Sequence, residues 1–208
     1  MADLIFKGVN CFEIKTKKAT LIIDPFSKEY GKQPSVKDKI VLYTNRALVS
    51  KNDTERFLIS NPGEYEIDLV SITGIPVKAY GDESSDSGST IFRLVIGDIA
   101  LGVIGNILPK LSDEQLEAFG LIDYLIIPVG GNGITLDSAA AASLVRDIEP
   151  KIIIPSHFAI EGITYPTVQD PVEVFGKELG KEVTLQPKIK LSRNELPEDL
   201  TIIGLEIN

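Results

Sequence analysis

The chain has 208 residues, 43% of them hydrophobic and 25% charged, which is enough apolar material for one full core without disulfide or metal support. A net charge of −9 argues against a nucleic-acid binder, whose affinity rests on neutralising phosphates. One cysteine, Cys11, excludes an internal disulfide and suits a reducing compartment. No signal peptide and no membrane-length apolar run is visible, so the expectation is a cytoplasmic protein with no membrane partner.

In chain order, apolar and often β-branched runs bounded by Gly, Pro, Asn and Asp predict strands at 4–6, 19–23, 40–43, 70–72, 90–96, 99–104, 124–127, 152–154 and 201–207. Helices cluster in the second half. Ser112-Asp113-Glu114-Gln115 is a capping box, with Gly120 placed to end its helix. Asp137-Ser138 opens an alanine-rich helix to about Ile148, before Pro150. Asp170-Pro171-Val172-Glu173 offers an N-cap and a proline at N1 for a third helix ending near Gly180. A mostly β first half followed by alternating strand and helix predicts a layered α/β sandwich, as one domain over 1–208. The polar stretch Gly81–Ser89 is expected to be mobile. Charge is uneven: residues 1–51 are net positive by five and residues 52–149 net negative by eleven. The basic quarter leaves room for a small anion or a local contact, with a solvated surface the simpler reading.

Four features bear on chemistry. Glu64 and Glu66 in Asn61-Pro62-Gly63-Glu64-Tyr65-Glu66 follow a Pro-Gly pair suited to a type II turn. They would sit on one strand face roughly 7 Å apart, at about 3.3 Å per residue. With no second catalytic feature beside them, they read as a solvated face. Gly130 and Gly131, in Pro128-Val129-Gly130-Gly131-Asn132-Gly133, lie between a strand and the Asp137 helix, where exposed amides can bind an anion. The dinucleotide fingerprint is incomplete, so a tight connecting loop is the default. Cys11 could serve as a nucleophile only if the fold brings it to His157. His157, the single histidine, follows a strand in Pro155-Ser156-His157-Phe158 and is the candidate catalytic residue.

The ordered set of segments resembles a known family. Gly8-Val9-Asn10-Cys11-Phe12, then Ile22-Ile23-Asp24-Pro25, resembles the opening of the metallo-β-lactamase superfamily, in its small lactonase-like branch of Zn-dependent hydrolases. Asn61–Ile67, Ile72–Pro76, Leu111–Phe119, Ile126–Gly131 and Pro155–Phe158 continue the match in order, over about residues 4–160. The resemblance implies a four-layer αβ/βα sandwich and, for ordinary members, a zinc-dependent hydrolase. It also implies which residues occupy the metal-ligand places. The His-x-His-x-Asp-His signature falls on Asn45, Ala47, Val49 and Ser50, and the histidine of the opening glycine motif on Val9. The later histidine has no counterpart near Ala79-Tyr80, and the bridging aspartate corresponds to Asn106. Only His157 matches a ligand place, while Asp24 matches the structural aspartate beside the site.

Zinc needs three or four nitrogen, sulfur or carboxylate ligands. The expectation is therefore a degenerate member with no metal and no cofactor, whose pocket candidates are Asp24, Asn45, Asn106, His157, Gly130 and Gly131. It would bind a small molecule or a partner protein, or self-associate. The alternative is a hydrolase of a phosphoester, lactone or ester that uses His157 in a non-standard site.

Overall fold

The computed structural model describes residues 2–50, 54–80 and 88–208. In chain order they form β1 (Ala2–Gly8), β2 (Cys11–Lys15), β3 (Thr20–Ile23), β4 (Ile40–Leu42), β5 (Phe57–Ile59), β6 (Gly63–Ile67), β7 (Val70–Val77), β8 (Ser89–Ile96) and β9 (Ile99–Val103). There follow α1 (Asp113–Phe119), β10 (Tyr124–Pro128), α2 (Ser138–Ile148), β11 (Ile152–Ser156), α3 (Val172–Leu179), β12 (Val183–Gln186), β13 (Ile189–Leu191) and β14 (Thr201–Leu205). Two sheets result. One has the order β13-β1-β2-β3-β4-β5 and the other β12-β14-β11-β10-β9-β8-β7-β6. This is the mixed α/β sandwich expected, with two sheets and few helices.

The sequence alternation explains how the first sheet serves two cores. Phe12, Ile14, Leu21, Ile23, Ile40 and Leu42 face the second sheet in the main core. Cys11, Ile22 and Val41, at the intervening positions, point to the outer face, as the period of two requires. There they are covered by Phe26, Val36 and Tyr43. The connection after β3 thus supplies part of the outer layer on this side. Glu13 shares that outer face and is buried. Lys39 reaches it at 2.8 Å, Lys7 at 3.4 Å and Lys15 at 3.6 Å. Part of the basic N-terminal quarter is thereby consumed by one internal carboxylate. Burial pushes the Glu13 pKa up, but the Lys39 hydrogen bond and the three ammonium charges outweigh it and hold the group below its ordinary value.

In the second sheet, β9, β10 and β11 are parallel neighbours with every residue buried. That is why their sequences are nearly continuous apolar runs. Helices cover this sheet: α1 packs on β7, α3 on β12, and α2 on α3. Gly102 makes room for α1, since an added Cβ would lie 2.8 Å from the Phe119 ring. The capping box at Ser112 is present with both reciprocal bonds, and Asp137 caps Ala140. The third helix differs from expectation by one residue. Pro171 is its N-cap, without a side-chain bond, because the Asp170 backbone is drawn into bonds with Gly130 and Ala159.

Gly63 does not sit in a type II turn but opens β6 at φ 145°. Glu64 and Glu66 are exposed on β6, at the edge of the second sheet. Most of the stretch expected to be mobile, Gly81–Ser89, lies outside the described residues. Ser89 itself begins β8 and is buried. Among the described residues no helix is long and apolar enough to cross a membrane.

Candidate functional site

The parallel strands of both sheets end at one pocket, the place where open parallel sheets commonly take ligands. From the first sheet, β3 ends at Asp24, and β4 runs on to Tyr43 and Thr44. From the second, β9 leads to Asn106 and β11 to His157. Asp24, Asn106 and His157 line a cavity of about 230 Å³, together with Asn10 and an apolar wall that includes Val9, Phe26 and Leu48. Three lining residues are not glycine yet have left-handed backbones: Val9 at φ 56°, Asp24 at 42° and His157 at 52°. Each such residue costs on the order of 1–3 kcal/mol, and a β-branched residue there is exceptional. Strain of this kind gathers where side chains must be aimed.

Bonds between the sheets fix the aim. The His157 amide donates to the Val9 carbonyl at 2.8 Å, tying the end of β11 to the β1–β2 turn. Ser156 Oγ donates to Asn10 Oδ1 at 2.9 Å, and Asn10 Nδ2 donates to Asn106 Oδ1 at 3.0 Å. Thr135 Oγ1 donates to the same Asn106 oxygen at 2.9 Å. A chain of neutral amides and hydroxyls therefore spans the pocket floor.

Asp24 is buried, with both carboxylate oxygens held by Thr44. Its Oδ1 accepts from the Thr44 amide at 2.7 Å, and its Oδ2 from Thr44 Oγ1 at 2.6 Å. Thr44 can approach because residue 105 is glycine; an added Cβ would lie 2.0 Å from Thr44 Oγ1. Burial pushes the Asp24 carboxyl up from 3.8 to about 6, against the two Thr44 bonds that lower it.

His157 is 3% exposed. Its Nδ1 lies 3.0 Å from Gln169 Oε1. The Gln169 amide nitrogen is directed to Thr167. An amide oxygen can only accept, so Nδ1 carries the proton and Nε2 keeps its lone pair. Burial lowers the imidazole pKa, opposed by the Gln169 bond, so the ring is neutral near pH 7. The Tyr165 ring stands 5.0 Å away.

The remaining sequence candidates are placed elsewhere. Asn45 is not among the lining residues; its side chain accepts from the Ala47 amide and caps the 3₁₀ turn Arg46–Leu48. Val49 packs on the outer cluster, and the Ser50 amide lies 3.4 Å from the Tyr43 hydroxyl. From the same turn Leu48, 56% exposed, contributes an apolar rim. The glycines lie behind the pocket. A Cβ on Gly130 would sit 1.9 Å from the His157 carbonyl, and the Gly131 amide donates to Leu136. These glycines let chains pass closely, and the Gly131 amide is not left open for an anion. Cys11 is buried in the outer cluster, with its thiol pKa raised by burial and by Asp24, and does not line the pocket. Asn10, Thr135, Ser156 and Gln169 were not singled out from the sequence. Asn10 adjoins the Gly8-Val9 motif, which is a usable signal; Gln169 lies in an irregular connection and carries none.

A larger groove of about 470 Å³ lies on the outer face of the first sheet, between Lys7, Lys32, Lys39 and Glu161. Its innermost lysines are those already held by Glu13, so the smaller, strained pocket is the better candidate.

The sequence pattern of the β-lactamase superfamily domain matches residues 3–157. The chain belongs to that superfamily. It is 27% identical over 182 residues to a UPF0173 protein of Pyrococcus abyssi, covering 76% of this chain and 84% of that one. A UPF0173 protein of Pyrococcus furiosus is 25% identical over 204 residues, covering 86% and 90%. Among solved structures, a candidate Zn-dependent hydrolase of the metallo-β-lactamase superfamily from Thermotoga maritima superposes with a TM-score of 0.75 at 21% identity, over the full length of both chains. Igni18, a metallo hydrolase from Ignicoccus hospitalis, gives 0.62 at 18%, covering 86% and 90%. These two likenesses concern the fold. In this superfamily member, the described residues contain no group of three His, Cys, Asp or Glu side chains placed to hold a metal ion. The Asp24 oxygens and Asn106 Oδ1 already accept protein hydrogen bonds.

Proposed function

We propose that this chain is a member of the superfamily that works without the metal centre, binding a small ligand or a partner protein at the Asp24–Asn106–His157 pocket without hydrolysing it. The observation that carries this reading is the commitment of the donor atoms. With Asn106 Oδ1 filled by Asn10 and Thr135 and each Asp24 oxygen held by Thr44, His157 Nε2 and the remaining Asp24 lone pairs are the metal-type donors left of the three. One imidazole and one carboxylate fall short of the three or four ligands zinc takes. Assays of phosphoester, lactone and ester substrates, with and without added zinc, are expected to show no turnover above the background of a His157→Ala variant. Zinc-dependent turnover that disappears in that variant would overturn the proposal.

The second reading, a metal-independent hydrolase, draws on the neutral imidazole, whose Nε2 lone pair could act as a general base. Against it, the residue that orients the ring is Gln169 and not a carboxylate, so an imidazolium formed during reaction would lack the usual stabilising partner. Turnover without metal that is lost in His157→Ala would favour this second reading.

A further inference from the structure

The polar atoms left over in the pocket define the chemistry of its occupant. Gln169 fixes the His157 proton on Nδ1, so Nε2 can only accept. Asn10 and Thr135 both donate to Asn106 Oδ1, and no protein partner takes its Nδ2 among the described residues, so Asn106 can only donate. Among the described residues the lining contains no lysine or arginine, and its single acid, Asp24, accepts one bond from Thr44 on each carboxylate oxygen. An anionic ligand would lose its water there beside the Asp24 carboxylate, with no counter-ion among the described lining residues. Val9, Phe26 and Leu48 offer apolar contact instead. The volume, about 230 Å³, lies below the roughly 300–1,000 Å³ of common ligand pockets, so the ligand is small.

We propose that the pocket takes a small uncharged ligand of the carboxamide class, with its N–H donating to His157 Nε2 and its carbonyl oxygen accepting from Asn106 Nδ2. This rests on the metal-free reading above, because a metal at His157 would occupy the same nitrogen. It also gives the neutral residue at position 106 a purpose. An aspartate there would keep the bonds from Asn10 and Thr135 but would replace the Nδ2 donor with an acceptor.

The test is a titration of chelator-treated protein with four probes of one shape, followed by calorimetry and by the His157 imidazole signals. Benzamide is expected to bind and to perturb His157. N,N-dimethylbenzamide lacks the donor, benzoate is an anion, and benzamidine carries donors only. Each is expected to bind at least about tenfold more weakly, as one buried partner left unpaired implies. Asn106→Asp should lose benzamide binding by a similar factor while keeping the wild-type melting profile. Equal binding of the dimethyl compound, a preference for benzoate or benzamidine, or no binding of any probe would overturn the inference. If Asn106→Asp does not fold, the wild-type probe ranking decides alone. Benzamide binding that appears only after zinc is restored would instead defeat the metal-free reading. Benzoate preference in chelator would defeat only the choice of ligand.

Discussion

Replacing Asp24 with asparagine isolates the energetic burden of a buried carboxylate at the pocket. Asp24 has a carboxyl pKa of about 6 in the folded chain against 3.8 for the unperturbed group. The folded state therefore holds a proton more tightly than the unfolded state between those values, and stability falls as pH rises through that window. The stabilising contribution is complete below the unfolded value and gone above about 6. A difference of about two pKa units at roughly 1.4 kcal/mol each gives about 3 kcal/mol. In Asp24→Asn the side-chain oxygen can still accept from the Thr44 amide, and the Thr44 hydroxyl can turn to accept from the new amide nitrogen. The variant carries no titrating group at this place. Urea unfolding of both proteins at several pH values gives a stability difference in which carboxylates common to both, such as Glu13, largely cancel. Relative to the variant, the wild type should lose about 2.4 kcal/mol between pH 4 and pH 7, the rest of the full contribution lying below pH 4. A difference that is flat across this range, or that rises with pH, would refute the assignment of Asp24 as a destabilised buried anion.

The single histidine makes a second prediction simple to read. Nitrogen-correlated NMR should show the Nδ1–H tautomer of His157 and a titration midpoint below the ordinary 6.5, in line with burial; an Nε2–H tautomer would contradict the Gln169 bond, and a raised midpoint would contradict the dominance of burial. Gly105→Ala forces a methyl group to within 2.0 Å of Thr44 Oγ1, and should destabilise the fold by roughly 3 kcal/mol, at the upper end for overpacking. Displacing Thr44 removes the two bonds that lower the Asp24 pKa while burial still raises it, so the pH dependence described for the wild type should grow in the same urea series.

Much of this fold was legible because burial on both faces writes a simple pattern. The runs 124–127 and 152–154 are apolar throughout and became the central parallel strands β10 and β11. The Ser112 capping box and the Asp137 cap each satisfied orphan helix amides locally, so sequence sufficed to place them. Asp170 misled by one residue because its backbone bonds to Gly130 and Ala159, distant partners that no local rule contains. Short edge strands such as β5, β12 and β13 were absent from the reading for the same reason: at three or four residues each, they exist through pairing with distant neighbours. At the site, Asp24, Asn106 and His157 were placed by the family resemblance, and they do share the pocket. Asn45 is instead spent on its own helical turn, and Gly130 and Gly131 on close backbone packing. Gln169, which sets the histidine tautomer, comes from an irregular connection twelve residues further along. Its role depends on where that connection folds, which local sequence does not encode.

The most direct measurement of the central claim is the metal content of protein purified without chelator, by mass spectrometry, alongside His157→Ala. The account predicts zinc, manganese and iron far below one per chain, with no difference between the two proteins. Near-stoichiometric metal in the wild type, lost in His157→Ala, would contradict it.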